Sequence, residues 1–177
     1  LRSAVGLRSG GNQAGRTGQQ MDVAGTRIGI TGATGFLGSY LARAFREAGA
    51  EVIGIVRSPE KGAHLEPHGV EFRKADLADT EALAAAFEGC DVIVSNAALF
   101  NAQKMSKRHA DANTAANVTG TRNVYEAIVR AGVKRVIHIS TFGIYRWGLN
   151  VRLREDSPQL DGDALQGGAY RGTKQVS

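Results

Sequence analysis

The segment Ile28-Gly29-Ile30-Thr31-Gly32-Ala33-Thr34-Gly35-Phe36-Leu37-Gly38 constrains the fold more than any other part of the chain. A short apolar run leads straight into glycines at 32, 35 and 38, and the next residues carry Leu37, Leu41 and Phe45 on one helical face. Each of these glycines removes a Cβ where a backbone would be blocked. One allows a sharp turn out of a strand, one allows close approach to a phosphate, and one allows the following helix to pack tightly on the sheet. The helix expected from Gly38 to about Glu47 would aim its free N–H groups and positive dipole end at that phosphate. The spacing is GxxGxxG rather than GxGxxG, so its position between a strand and a helix carries the argument.

The pattern continues as alternating strand and helix signals. Strands are expected over Arg27–Ile30, Glu51–Val56, Val70–Lys74, Asp91–Ser95 and Arg135–Ser140. Helices are expected over 38–48, ended by Gly49, over 81–87 with Thr80 as N-cap, and over roughly 111–131, ended by Gly132. Pro59, Gly62 and Pro67 mark a turn-rich connection. Short β-branched runs separated by helices predict an α/β fold, a doubly wound parallel sheet of Rossmann-like type with helices on both faces. A ligand should then lie beyond the carboxyl ends of the strands.

Composition narrows the function classes. At 177 residues, 42% hydrophobic and 22% charged, the chain has the makeup of one globular domain. No apolar run approaches the roughly 20 residues of a membrane span. Cys90 is the single cysteine, which removes intramolecular disulfides and cysteine metal clusters, and points to a reducing compartment, the cytoplasm. Of the net charge of +5, three charges are Arg2, Arg8 and Arg16 in an acid-free leader, which leaves +2 for the rest. That balance argues against a nucleic-acid surface. Residues 1–20 lack hydrophobic periodicity and read as a disordered leader, with Met21 opening the dinucleotide-binding domain 21–177.

The strand tips carry the candidate chemistry. The second strand ends in Val56-Arg57-Ser58, with Lys61 close behind and no carboxylate. An acid at this tip would bind the ribose hydroxyls of NAD, whereas a guanidinium suits a 2′-phosphate. NADP is therefore the expected cofactor ahead of NAD, with Arg57 as a solvated loop residue the bland alternative. Asp76, after the third strand, could accept a hydrogen bond from the adenine amino group with Leu77 beside the ring. It could equally be a turn or capping residue. Ala97 and Ala98, at the fourth tip, are small enough to let a dinucleotide pass. Ser140 and Thr141 close the fifth strand, where a hydroxyl could meet a substrate oxygen. His138 reads as structural, and no histidine shows metal-ligand spacing.

Tyr170-Arg171-Gly172-Thr173-Lys174 completes the set. On a helix, residues four apart share a face. An ammonium there favours the phenolate and brings the phenol's pKa down from about 10. Such a tyrosine can exchange a proton with a hydroxyl or carbonyl while a nicotinamide takes or gives a hydride, and the lysine can also bond the nicotinamide ribose.

In this order, the pieces resemble the extended short-chain dehydrogenase/reductase family of NAD(P)-dependent epimerases, dehydratases and reductases. The resemblance is carried by TGATGFLG at 31–38, DLAD at 76–79, NAA at 96–98, NVTGTRNV at 117–124, STFGIY at 140–145, REDSP at 154–158 and YRGTK at 170–174. It implies Tyr170 as acid/base, Lys174 as ribose ligand, Thr141 as the catalytic hydroxyl with Ser140 beside it, and a mainly structural Asn117. Gly32, Thr34, Gly35, Phe36, Leu37 and Gly38 become expected cofactor contacts, together with Arg57, Asp76, Leu77, Ala97, Ala98, Tyr170 and Lys174. Asn96 stands where the family often has His. The sequence stops three residues after Lys174, so the sheet is expected to be incomplete on its C-terminal side and a substrate domain missing. The expected function is an NAD(P)-dependent oxidoreductase or epimerase/dehydratase acting on a nucleotide-sugar or small ketone. The alternative is an NADP-binding sensor or scaffold without turnover. The expected partners are a small-molecule substrate and, as an option, a second copy in a homodimer, with no nucleic acid, membrane or metal.

Overall fold

A computed structural model of the chain describes residues 22–99, 111–112, 114–146, 152–159 and 173–174. Leader residues 1–20, Met21 and Tyr170 lie outside these. Five strands form one sheet: β1 (Arg27–Thr31), β2 (Glu51–Val56), β3 (Glu71–Lys74), β4 (Val92–Ser95) and β5 (Arg135–His138). Their order is β3-β2-β1-β4-β5, and every neighbouring pair is parallel. The chain thus builds outward from β1 to β3, then returns to the other side of β1 for β4. That reversal opens a crevice at the carboxyl ends of β1 and β4, which is where doubly wound sheets take ligands.

The helices are α1 (Phe36–Glu47), α2 (Thr80–Phe87) and α3 (Gly120–Arg130). The core is split by the sheet. Ile28, Ile30, Val52, Val56 and Val94 pack on the α1 side with Ala42 and Leu65. Ile53, Ile55 and Ile93 pack on the other with Leu83, Phe87, Val124 and Ile128. Burial on both faces explains why β2 reads as a nearly continuous apolar run.

Several boundaries differ from the sequence expectation, each for a local reason. α1 begins at Phe36, two residues early, so Gly38 sits inside its first turn; it ends as expected, with Gly49 at φ +87°. Asp79, not Thr80, is the N-cap of α2: its Oδ1 accepts from the N–H of Ala82 at 2.9 Å, and Thr80 is the first helical residue. The Pro59–His68 connection is wound as a 3-10 helix. β5 stops at His138, two residues short, because its partner β4 ends at Ser95; one further bond, from Ile139 N–H to Ser95 O, closes the ladder. The long helix is interrupted by a π-helical turn, Ala115–Thr119, ahead of α3. One extra residue in that turn is invisible to a 3.6-residue periodicity.

Candidate functional site

The three glycines occupy different environments. Gly32 turns the chain out of β1 at φ +67°, and a Cβ there would stand 2.9 Å from the Cα of Ala97. Gly38 lies under the loop, where a Cβ would overlap the Gly32 carbonyl oxygen and stand 2.9 Å from both the Ala33 Cα and the Asn96 Nδ2. Gly35 is open: a Cβ would meet only the Gly32 oxygen, at 3.3 Å. Gly35 is also the N-cap of α1. No side chain caps this end and no acid occupies its first turn, so its leading N–H groups remain available to an anion.

Thr31 and Asn96 hold this loop to the fourth strand. The Thr31 hydroxyl accepts from the N–H groups of Asn96 and Ala97 at 3.0 Å each and donates to Val94 O at 3.4 Å. The Asn96 carboxamide donates to Thr31 O and Gly32 O at 3.3 and 3.4 Å. An asparagine can reach both carbonyls with one NH2 group, which gives the residue at this position a loop-bracing role of its own.

Beside the loop runs a cavity of about 890 Å³ along the carboxyl ends of the strands. Its wall includes Gly32, Thr34, Gly35, Phe36 and Leu37 from the loop, Arg57 after β2, and Asp76 and Leu77 after β3. Ala97 and Ala98 after β4, and Lys174, complete the expected part of the wall. Gly38 is beneath the wall and Thr141 outside it. The sequence reading did not single out Ile55, Val56, Ala75, Leu99, Ala115, Ala116 or Ile139, which also line the cavity. Most of these are the last buried residues of strands or their first followers, and apolar residues at such places look the same as core. Ala115 and Ala116 come from the π-helical turn.

The charged groups lie at opposite ends of the cavity. Arg57 is exposed directly after β2, and its guanidinium makes no hydrogen bond or ion pair among the described residues. Asp76 is also exposed. Its Oδ1 accepts from the N–H of Ala78 at 2.9 Å, so it shapes the turn while facing the cavity. At the β5 end Lys174 is only 5% exposed, and its Nζ donates to Ile139 O at 2.9 Å. Burial pushes this ammonium below the usual lysine range. Among the described residues one of its three donors is used, and the others are available on the cavity wall. Thr141 caps the 3-10 turn Phe142–Ile144 by accepting from the Gly143 N–H at 3.2 Å, which leaves its own hydroxyl hydrogen free to donate.

His138 closes β5 and stacks on Tyr125, with ring centroids 6.1 Å apart. Its Nδ1 is buried without a hydrogen-bond partner among the described residues. Burial, and secondarily the charge of Lys174, lowers its pKa. Cys90 is buried and free, and burial raises its thiol. Among the described residues there is no group of acidic, histidine or cysteine side chains placed to hold a metal, and no helix is long and apolar enough to cross a membrane.

Comparison with known proteins identifies the family of the chain. The sequence profile of the NAD dependent epimerase/dehydratase family matches residues 28–171. Sterol demethylase protein B of Methylococcus capsulatus is 34% identical over 150 residues, which is 84% of this chain and 44% of that protein. Cinnamoyl-CoA reductase 1 of Petunia hybrida is 35% identical over 128 residues, 68% of this chain and 37% of the enzyme. A solved short-chain dehydrogenase/reductase superfamily protein from Agrobacterium tumefaciens with bound NAD superimposes with a TM-score of 0.69 at 27% identity, covering 85% of this chain and 42% of that one. The chain therefore spans less than half the length of these relatives.

Proposed function

The chain belongs to the NAD dependent epimerase/dehydratase family, and on that premise we propose that it forms the cofactor-binding part of an NADP-dependent enzyme. Its substrate would be a hydroxyl/carbonyl compound such as a nucleotide-sugar or a small ketone, and the reaction a reduction, epimerisation or dehydration. The observation that carries this reading is the cavity running from Arg57 to Lys174 past the glycine loop. The residues fit a dinucleotide: a Cβ at Gly32 or Gly38 would fill or collapse the cradle, and an uncapped helix start faces the same space. The loop would hold the pyrophosphate, Arg57 the 2′-phosphate of the adenosine ribose, and Asp76 with Leu77 the adenine. The nicotinamide half would lie toward Lys174.

A bound nicotinamide supplies or accepts a hydride. This chain's own residues do the rest. Lys174 would hold the nicotinamide ribose and, through its charge, favour the phenolate of Tyr170, four residues earlier in sequence. The Tyr170 hydroxyl would give its proton to a carbonyl oxygen being reduced, or take one from an alcohol being oxidised. Thr141, with its free hydroxyl hydrogen, would donate to the same substrate oxygen. The single free cysteine suits a reducing, cytoplasmic setting.

A second reading, an NADP-binding sensor without turnover, is favoured by one observation: the glycine loop, Arg57 and Lys174 line the cavity, while Thr141 stands outside it. Dinucleotide oxidation in the presence of a panel of aldehydes and ketones separates the two. Binding by the complete protein with neither dinucleotide oxidation nor redox-neutral conversion of a nucleotide-sugar panel supports the sensor.

Cofactor choice has its own test. Arg57→Asp should weaken NADPH at least tenfold, the effect of losing one charge-assisted bond, and leave NADH within about twofold. Titration by nicotinamide fluorescence reads both. Equal losses for the two would remove Arg57 as the reader of the 2′-phosphate.

A further inference from the structure

Thr173, the residue before Lys174, is tied into a buried joint that the expected chemistry does not use. At its centre is Asn117, fully buried in the π-helical turn. The Asn117 Oδ1 accepts from the Leu99 N–H at 2.7 Å. Its Nδ2 donates to Leu99 O and to the Thr173 Oγ1, each at 3.0 Å. Both N–H bonds of the carboxamide are thus committed, one to each side. The turn itself is closed by the Thr121 hydroxyl, which donates to Asn117 O at 2.6 Å. Thr173 is 6% exposed, Lys174 5%.

The joint spans three parts of the cavity wall. Leu99 belongs to the chain leaving β4, Ala115 and Ala116 to the π-helical turn, and Lys174 to the far end. Lys174 is itself pinned to Ile139 O beyond β5. A lysine side chain has four rotatable carbons, so one hydrogen bond at its tip does not fix where its backbone sits. A β-branched residue next to it, with restricted χ1 and a buried hydroxyl bond, does.

We propose that Thr173 is a positioning residue: through Asn117 it sets the Lys174 ammonium in register with the β4 exit, so that the nicotinamide half of the cavity is assembled as one piece. This rests on the dinucleotide reading above. It differs from a general contribution to stability, because it predicts an effect on one half of the ligand only. Arg57 and the glycine loop, which face the other half, are held by β1, β2 and the Thr31–Asn96 brace, whereas Thr173 accepts its hydrogen bond from Asn117.

The experiment compares full-chain Thr173→Val and Thr173→Ser with the parent protein, using NADPH against its adenine half, 2′,5′-ADP, by calorimetry. If NADH binds more tightly, the pair becomes NADH and ADP. Thr173→Val should weaken the whole dinucleotide about tenfold, the loss expected when a displaced Lys174 ammonium no longer makes its charge-assisted bond to the ligand, and leave the adenine half within about twofold. Thr173→Ser, which keeps the hydroxyl, should bind both like the parent. If Thr173→Val does not fold, Thr173→Ala takes its place with the same expectation. Unchanged dinucleotide binding, equal losses for both ligands, or failure of serine to rescue would each overturn the proposal. A parent protein that binds neither ligand would overturn the dinucleotide reading first, and this one with it.

Discussion

Gly38→Ala should lower stability by about 2 kcal/mol and remove measurable dinucleotide binding, although alanine is normally the better helix former. In an exposed helix interior the same change gains roughly 0.5–1 kcal/mol, because glycine loses more backbone freedom on folding. Here the new methyl would overlap the Gly32 carbonyl oxygen and stand 2.9 Å from the Ala33 Cα and from the Asn96 Nδ2. Two of these obstacles are backbone and cannot rotate away. Overpacking of this kind costs about 1–3 kcal/mol, which exceeds the helix gain. Relief requires moving the loop off the helix, and that displaces the N–H groups offered to the phosphate. Thermal unfolding should show a drop of roughly 4–8 °C for a domain of this size. Gly35→Ala is the control. Its methyl meets only the Gly32 oxygen at 3.3 Å, and Gly35 has φ −78°, an ordinary extended value. The fold should therefore survive while the dinucleotide, which the proposed function passes across this open side, weakens. Equal stability for Gly38→Ala and the parent protein would show that the helix is not packed against the loop as described.

The contrast between these two glycines was legible in the sequence as a spacing, but not as an assignment. The three-residue interval announced turn, approach and packing. Only the backbone shows that Gly32 has the positive φ, Gly35 the open side and Gly38 the crowded one. The five strands were equally legible, since β1 and β2 are buried on both faces and read as apolar runs. Their ends were not. Where a strand stops depends on where its neighbour stops, as β5 shows by ending once β4 has run out at Ser95. The N-cap of α2 was misplaced by one residue because Asp79 and Thr80 are both good caps, and only the bond to Ala82 separates them. The π-helical turn could not be read at all. Its purpose appears in the contacts of Asn117, which join segments 18 and 56 residues apart in sequence. The cavity was visible in outline, since small or charged residues at strand tips are unusual enough to notice. Ile139 and Leu99 were not noticed, because an apolar residue beside a ligand resembles one in the core.

Lys174→Met should separate stability from function in opposite directions. In the folded chain burial holds the lysine below its unfolded value of about 10.4. Between the folded and unfolded values the unfolded chain binds more protons, so stability rises with pH across that window. Below the folded value the cost of burying the ammonium is present in full. Methionine keeps most of the volume and removes the charge, so that cost disappears. Against this stands the loss of one donor to Ile139 O, on the order of 1 kcal/mol. The expected result is a melting temperature at neutral pH that does not fall below that of the parent. Any advantage of the variant should shrink as pH rises toward about 10.4 and be gone well above it, where the parent lysine is uncharged in both states. Dinucleotide affinity should fall at least tenfold, because the cavity loses its only described cation at the β5 end. On the function proposed above, turnover of the complete protein should fall further, by a factor on the order of a thousand, since Lys174 is the group proposed to favour the Tyr170 phenolate. Thermal melts from pH 7 to 10 and a dinucleotide titration read the two halves independently. A variant that binds as the parent does would leave Lys174 a structural lysine, and one that melts far lower would mean that the Ile139 bond outweighs the cost of burial.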